Sequence, residues 1–132
     1  MTLAPIWTDR ALAVLRLVSA FCLIQHATAK LFGFPHVAYF DNLQVLSLIG
    51  VAGIIELIGS LMLLAGFQTR LAAFILSGEL AFAYFIGHAP KGNVLSPMLN
   101  GGESAVLFCF IFLYLVMAGP GAWSVDNRAA AV

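Results

Sequence analysis

Charge is scarce in this sequence: Asp, Glu, Lys and Arg make up 9% of its 132 residues, against 62% hydrophobic residues and a mean hydropathy of +1.01. A water-soluble domain carries about 25% charged residues, and a chain this poor in them cannot clothe an apolar core in polar surface. Lys plus Arg and Asp plus Glu balance at six each, so the basic surface that a phosphate backbone requires is missing and nucleic acid is excluded as a partner. Cysteine occurs only as Cys22 and Cys109, without a CxxC pair, which excludes a disulfide scaffold and a thioredoxin-like dithiol. There is no GxGxxG, no P-loop and no serine elbow. The opening MTLAPIWTDR lacks the basic flank of a signal peptide, and no small-residue cleavage site follows, so the first apolar run is expected to stay in the mature chain.

What the sequence has instead is long apolar runs. With lipid as the solvent for its outer face, a chain of this length suffices for about four spans of about 20 residues each. The expected fold is all-α: a single domain over residues 1–132, an integral membrane four-helix bundle running up-down-up-down, with membrane lipid as its surroundings. The first span is predicted over Ala11 to Leu31, ending at Gly33 and Pro35. The second runs from about Leu46 to Gly66, and the third from about Leu71 to His88 after a connection too short for anything but an antiparallel hairpin. Ala89 to Gly102 is broken by Pro90, Gly92, Pro97, Gly101 and Gly102 and reads as a loop. The fourth span starts near Glu103, with Asn100 as a candidate cap, and stops before Gly119, Pro120 and Gly121. The tail from Arg128 to Val132 is expected to fray. Trp7, Tyr39, Phe40 and Trp123 sit near span ends, where aromatic rings favour the membrane interface.

Several of the rare charges fall inside these runs, where an unpaired charge is costly and faces the bundle interior or a partner. At about 100° per residue, Arg16, Ser19, Leu23, His26 and Lys30 share one arc of the first helix, with Gln25 outside it. Glu56 and Glu79 lie near the middles of the second and third spans. A carboxylate at that depth is neutral or paired, so Arg16 is expected between the two or bidentate on one of them. The other would then be protonated or hydrogen-bonded to Ser60 or Ser77. Two uses of such a network remain open: an ion pair that fixes helix order, or a proton-handling site. His26, Lys30, His88 and Glu103 fall in one half of the bilayer and form a candidate pocket for a headgroup, a quinone oxygen or a small acid. Because His26, His88 and Glu103 come from three helices without HxxxH or ExxH spacing, no metal is expected. Gly50, Gly53, Gly59 and Ser60, and Gly78 on the third span, permit close helix approach.

The stretch His26-Ala27-Thr28-Ala29-Lys30-Leu31-Phe32-Gly33-Phe34-Pro35 resembles the HGxxKLFGxP stretch of the DoxX family of small bacterial membrane proteins. Glu56 followed by Gly59 and by LMLLAGFQTR, Leu61 to Arg70, resembles its second-helix signature. Asn100-Gly101-Gly102-Glu103, Leu107 to Tyr114 and Gly119 to Asp126 are similar to its last-helix pattern, so the resemblance covers almost the whole chain. Ala27 stands where the family usually has Gly. The resemblance implies the four-helix membrane fold, the bacterial inner membrane and a quinone-linked oxidoreductase component with quinone as the cofactor. In that reading Arg16, Glu56 and Glu79 tune or carry protons, while His26, Lys30, His88 and Glu103 face the ligand. The alternative is a non-enzymatic accessory subunit of a larger membrane redox complex, or a small-solute permease acting as a homo-oligomer. Arg10, Arg16, Arg70 and Arg128 outweigh Lys30 and Lys91, which points both termini and the Phe67 to Arg70 turn to the cytoplasm.

Overall fold

A computed structural model describes residues 5–129; the end of the expected frayed tail, residues 130–132, lies outside them. All regular elements among the described residues are helical: α1 (Pro5–Phe32), α2 (Leu48–Ala65), α3 (Thr69–Ala83), α4 (Pro97–Asn100), α5 (Glu103–Ala118) and α6 (Val125–Ala129), with a 3₁₀ turn at Ala38–Phe40 between α1 and α2. α3 continues through a π turn, Tyr84–His88, into a 3₁₀ turn, Ala89–Lys91.

Among the described residues, three helical stretches are long and apolar enough to cross a membrane: Pro5–Phe32, Leu48–Ala65 and Thr69–Lys91. The expected four-span bundle is therefore corrected. The fourth apolar helix, α5, has 16 residues and at about 1.5 Å per residue reaches about 24 Å, short of a hydrocarbon core about 30 Å thick. Its length is set by the glycines at either end, Gly101-Gly102 before it and Gly119-Pro120-Gly121 after it, where Gly119 and Gly121 take positive φ angles of 89° and 67°. The first span also starts earlier than its apolar run, at Pro5, because Thr8, Asp9 and Arg10 are helical despite their polarity.

Local chemistry explains the ends. Ser47 caps α2, its Oγ accepting from the Gly50 amide at 3.2 Å. Gly66, at φ 65°, ends α2 as the left-handed residue of a Schellman turn, with Phe67 N–H donating to the Met62 carbonyl. Asp126 on α6 caps α3, accepting from the amides of Gln68 at 2.7 Å and Thr69 at 2.9 Å. Asn100 is not the residue that caps α5: its Oδ1 accepts from Gly102 N–H, and its Nδ2 donates to Tyr84 Oη at 3.0 Å, which moors the α3–α5 connection to α3.

α1 packs most extensively on α2, and α3 on α5; α2 meets α3 along a smaller contact, and α1 touches α5 lightly. The core fills the space among them with Leu23, Leu63, Leu76, Phe112 and Leu115. Large apolar side chains such as Val18, Phe21, Ile58, Phe74 and Phe110 point outward. Outward aliphatic and aromatic groups along membrane-length helices make a lipid-facing surface.

Candidate functional site

Lys30 and Glu56 meet at the centre of the site. Nζ of Lys30 lies 2.7 Å from both carboxylate oxygens of Glu56, with 12% and 3% of the two side chains exposed. The contact is made by small residues. A Cβ added at Gly53 would come within 3.1 Å of the Lys30 Cβ, so the bare glycine brings the two backbones together, and Glu56, three residues on, shares its helix face.

This pair borders a cavity of about 1280 Å³ between α1, α2, α3 and the start of α5. Its walls are mainly apolar, and its polar side chains are Gln25, His26, Lys30, Glu56, Glu79, His88, Lys91 and Ser104, with Cys22 and Phe40 also facing it. Glu79 Oε2 and His88 Nδ1 are buried and find no hydrogen-bond partner among the described residues. The His26 ring meets Phe108 edge-on, with centroids 6.2 Å apart, and Lys91 sits over the Tyr39 ring at 5.2 Å at the rim.

Arg16 is elsewhere. Its guanidinium is completely buried and has no carboxylate partner among the described residues; it donates to the Leu63 and Leu64 carbonyls that end α2, and to those of Pro120, Ala122 and Trp123 after α5. A delocalised cation with five donors suits a cluster of helix-end carbonyls. The pairing expected for Arg16 thus falls to Lys30. Neither serine serves Glu79: Ser77 donates to the Cys109 carbonyl at 2.8 Å, and Ser60 Oγ has no partner.

Of the residues singled out in the sequence, His26, Lys30, Glu56, Glu79 and His88 converge on one cavity, while Arg16 and Glu103 do not line it. Glu103 is exposed at the first turn of α5, and its neighbour Ser104 faces inward instead. Sequence reasoning missed Gln25 and Lys91 as lining residues. Gln25 could have been found only by knowing that the cavity is wide enough to reach beyond the polar stripe of α1.

The DoxX family model matches residues 11–89, more than half of the chain and the part that holds every acidic and histidine side chain of the cavity. The chain belongs to the DoxX family. A protein of Haemophilus influenzae that carries the description "uncharacterized protein" is 49% identical over 119 residues, covering 89% of each chain. No solved structure matches. Membership of DoxX and three membrane-length helices make this a multi-pass helical protein of the bacterial inner membrane. Within this DoxX chain, Ala27 is completely buried in α1.

Proposed function

We propose that this DoxX protein is a quinone-linked component of a membrane redox system, with the cavity as its ligand site. One observation carries the reading: beside a satisfied Lys30–Glu56 pair, a Glu79 oxygen and a His88 nitrogen are buried without partners at the wall of an apolar cavity. Unpartnered buried polar groups are costly, and a ligand that satisfies them gains accordingly. A flat ring with two carbonyl oxygens fits this donor set, and the cavity exceeds the volume of about 300–1,000 Å³ that holds most small ligands.

When bound, a quinone supplies two-electron, two-proton chemistry, and the electrons are assigned to a partner in a larger membrane redox complex. The side chains of this protein hold protons and orient the ring. Glu79 Oε2 and His88 Nδ1, both without partners, are the groups that would hold the ring oxygens of a bound quinone as hydrogen-bond donors. Lys30 and Glu56 cancel each other's charge at the cavity wall. His26, lining the same cavity edge-on to Phe108, adds a second imidazole to the site. Arg16 then acts only by positioning the end of α2 and the segment after α5 against α1.

Organic-solvent extraction of protein purified in native lipid is expected to recover quinone enriched over the lipid background. Glu79→Gln and His88→Ala should each lower retained quinone by about tenfold, the worth of one hydrogen bond to a charged or buried group, whereas Cys109→Ala should not. Absence of enrichment, with the protein instead retained by a larger enzyme in mild detergent, would replace this reading with that of an accessory subunit.

A further inference from the structure

The wall of the cavity has a gap in it. Val51 on α2 and Ile75, Phe82 and Ile86 on α3 or its continuation line the cavity, and the same side chains are 41%, 47%, 53% and 49% exposed. A residue that faces both a cavity and the exterior stands at an opening. Here the exterior is hydrocarbon, because both helices are of membrane length and apolar.

The opening follows from how α2 and α3 are joined. Near their common turn they are pressed together: a Cβ at Gly59 would lie 2.7 Å from Leu76 Cγ. On the cavity side of that contact, Gly53 of α2 turns its bare face to Lys30 of α1, and α3 is already tied to α5 at Ser77, beside Leu76, through its bond to the Cys109 carbonyl. α2 thus packs most extensively on α1 and α3 on α5, with a smaller contact between α2 and α3, and the side chains at its cavity edge, Val51, Ile75, Phe82 and Ile86, are apolar.

We infer that the gap between α2 and α3 is a lateral portal for the hydrocarbon chain of an amphiphile dissolved in the bilayer, whose polar head reaches Lys30, Glu56, Glu79 and His88. The inference rests on the cavity being a ligand site, but not on the head being a quinone. The occupant is a chain rather than an aqueous solute because an apolar rim set in hydrocarbon gives a hydrated solute no path, while it leaves an alkyl chain continuous with the lipid outside. Lipid is as apolar as the rim, so the chain gains little affinity there. Its role is access, with binding strength supplied by the head.

The test uses the full chain in lipid nanodiscs and two photoreactive probes, each with a diazirine in mid-chain: an alkyl benzoquinone and a fatty acid. Labelling by the quinone probe should concentrate at Val51, Ile75, Phe82 and Ile86, should saturate, and should fall about tenfold on Val51→Trp or Ile86→Trp. Phe74→Trp, on the lipid face outside the cavity, should leave it unchanged. Uniform, non-saturating labelling that includes Phe74 and Phe110, or labelling indifferent to both portal variants, would overturn the portal. Saturable portal labelling by the fatty-acid probe without any quinone enrichment would retain the portal and remove the quinone reading. A chainless benzoquinone that binds with Glu79-dependent affinity, while chains label the protein uniformly, would do the reverse.

Discussion

Arg16 and Lys30 stand about four turns apart on one face of α1, and each answers the cost of a charge in hydrocarbon in a different way. Arg16 is neutralised by carbonyl dipoles, Lys30 by the Glu56 carboxylate. Their variants should therefore behave differently. Lys30→Leu leaves a buried carboxylate unpaired and is expected to cost about 3 kcal/mol, most of it recovered by adding Glu56→Gln. Arg16→Leu should be at least as damaging, and neither Glu56→Gln nor Glu79→Gln should relieve it. A double-mutant cycle on unfolding in detergent measures both couplings, and rescue of Arg16→Leu by either Glu variant would contradict the geometry. The inward stripe of α1 was legible in the sequence because angular position depends only on residue spacing. Partner choice was not, since it depends on depth, and depth depends on where α1 begins. The polar Thr8-Asp9-Arg10 stretch hid six residues of helix, so Arg16 falls level with the end of α2 rather than with Glu56.

Elements are held at their ends by residues whose substitution has opposite expected signs. Gly66 takes φ 65°, and a Cβ there would lie 2.5 Å from Ser124 Cβ, so Gly66→Ala should cost at least about 1–2 kcal/mol from backbone conformation alone. Gly78 lies inside α3 with open space around it. Gly78→Ala should stabilise by about 0.5–1 kcal/mol, as thermal unfolding in detergent would register. The sequence suggested close packing at Gly78, since spacing alone cannot tell a glycine at a crossing from one on an outward face. The α6 latch responds to pH. Partial burial raises the affinity of the Asp126 carboxyl for its proton, but the Thr69 and Gln68 amides and the Arg16 charge outweigh it and hold the group below the usual carboxylate range. Because the folded value is depressed, its contribution is complete above the unfolded value of about 3.9 and is lost as pH falls through the folded one. Wild-type stability should thus decline more steeply than that of Asp126→Asn below about pH 4, and parallel curves would rule out the cap as the cause.

For the molecule as a whole, the burial of Arg16 and the pairing of Lys30 sharpen the charge asymmetry. With those two interior cations set aside, Arg10, Arg70 and Arg128 gather at the end that holds the α2–α3 turn, against Lys91 at the other. That turn is expected to face the cytoplasm. Phe67→Cys and Leu95→Cys, in a background lacking Cys22 and Cys109, should differ toward an impermeant thiol reagent on intact spheroplasts: reaction at 95 and none at 67. The reverse pattern would turn the protein over. Family and helical class were legible from the sequence, whereas the number of membrane-length helices was not, because an apolar run reports composition and only the flanking glycines decide how much of it is helix. The carbonyl cluster around Arg16 has a consequence for biosynthesis. Three of its five acceptors, on Pro120, Ala122 and Trp123, are made more than a hundred residues after Arg16. The first helix must enter the bilayer with a guanidinium whose partners do not yet exist, and quality control can read that exposed charge until Trp123 has been added. Translation halted after Ala118 should yield a product degraded by membrane proteases, and replacing Arg16 by Leu should spare that shortened chain while harming one that includes residues 120–123.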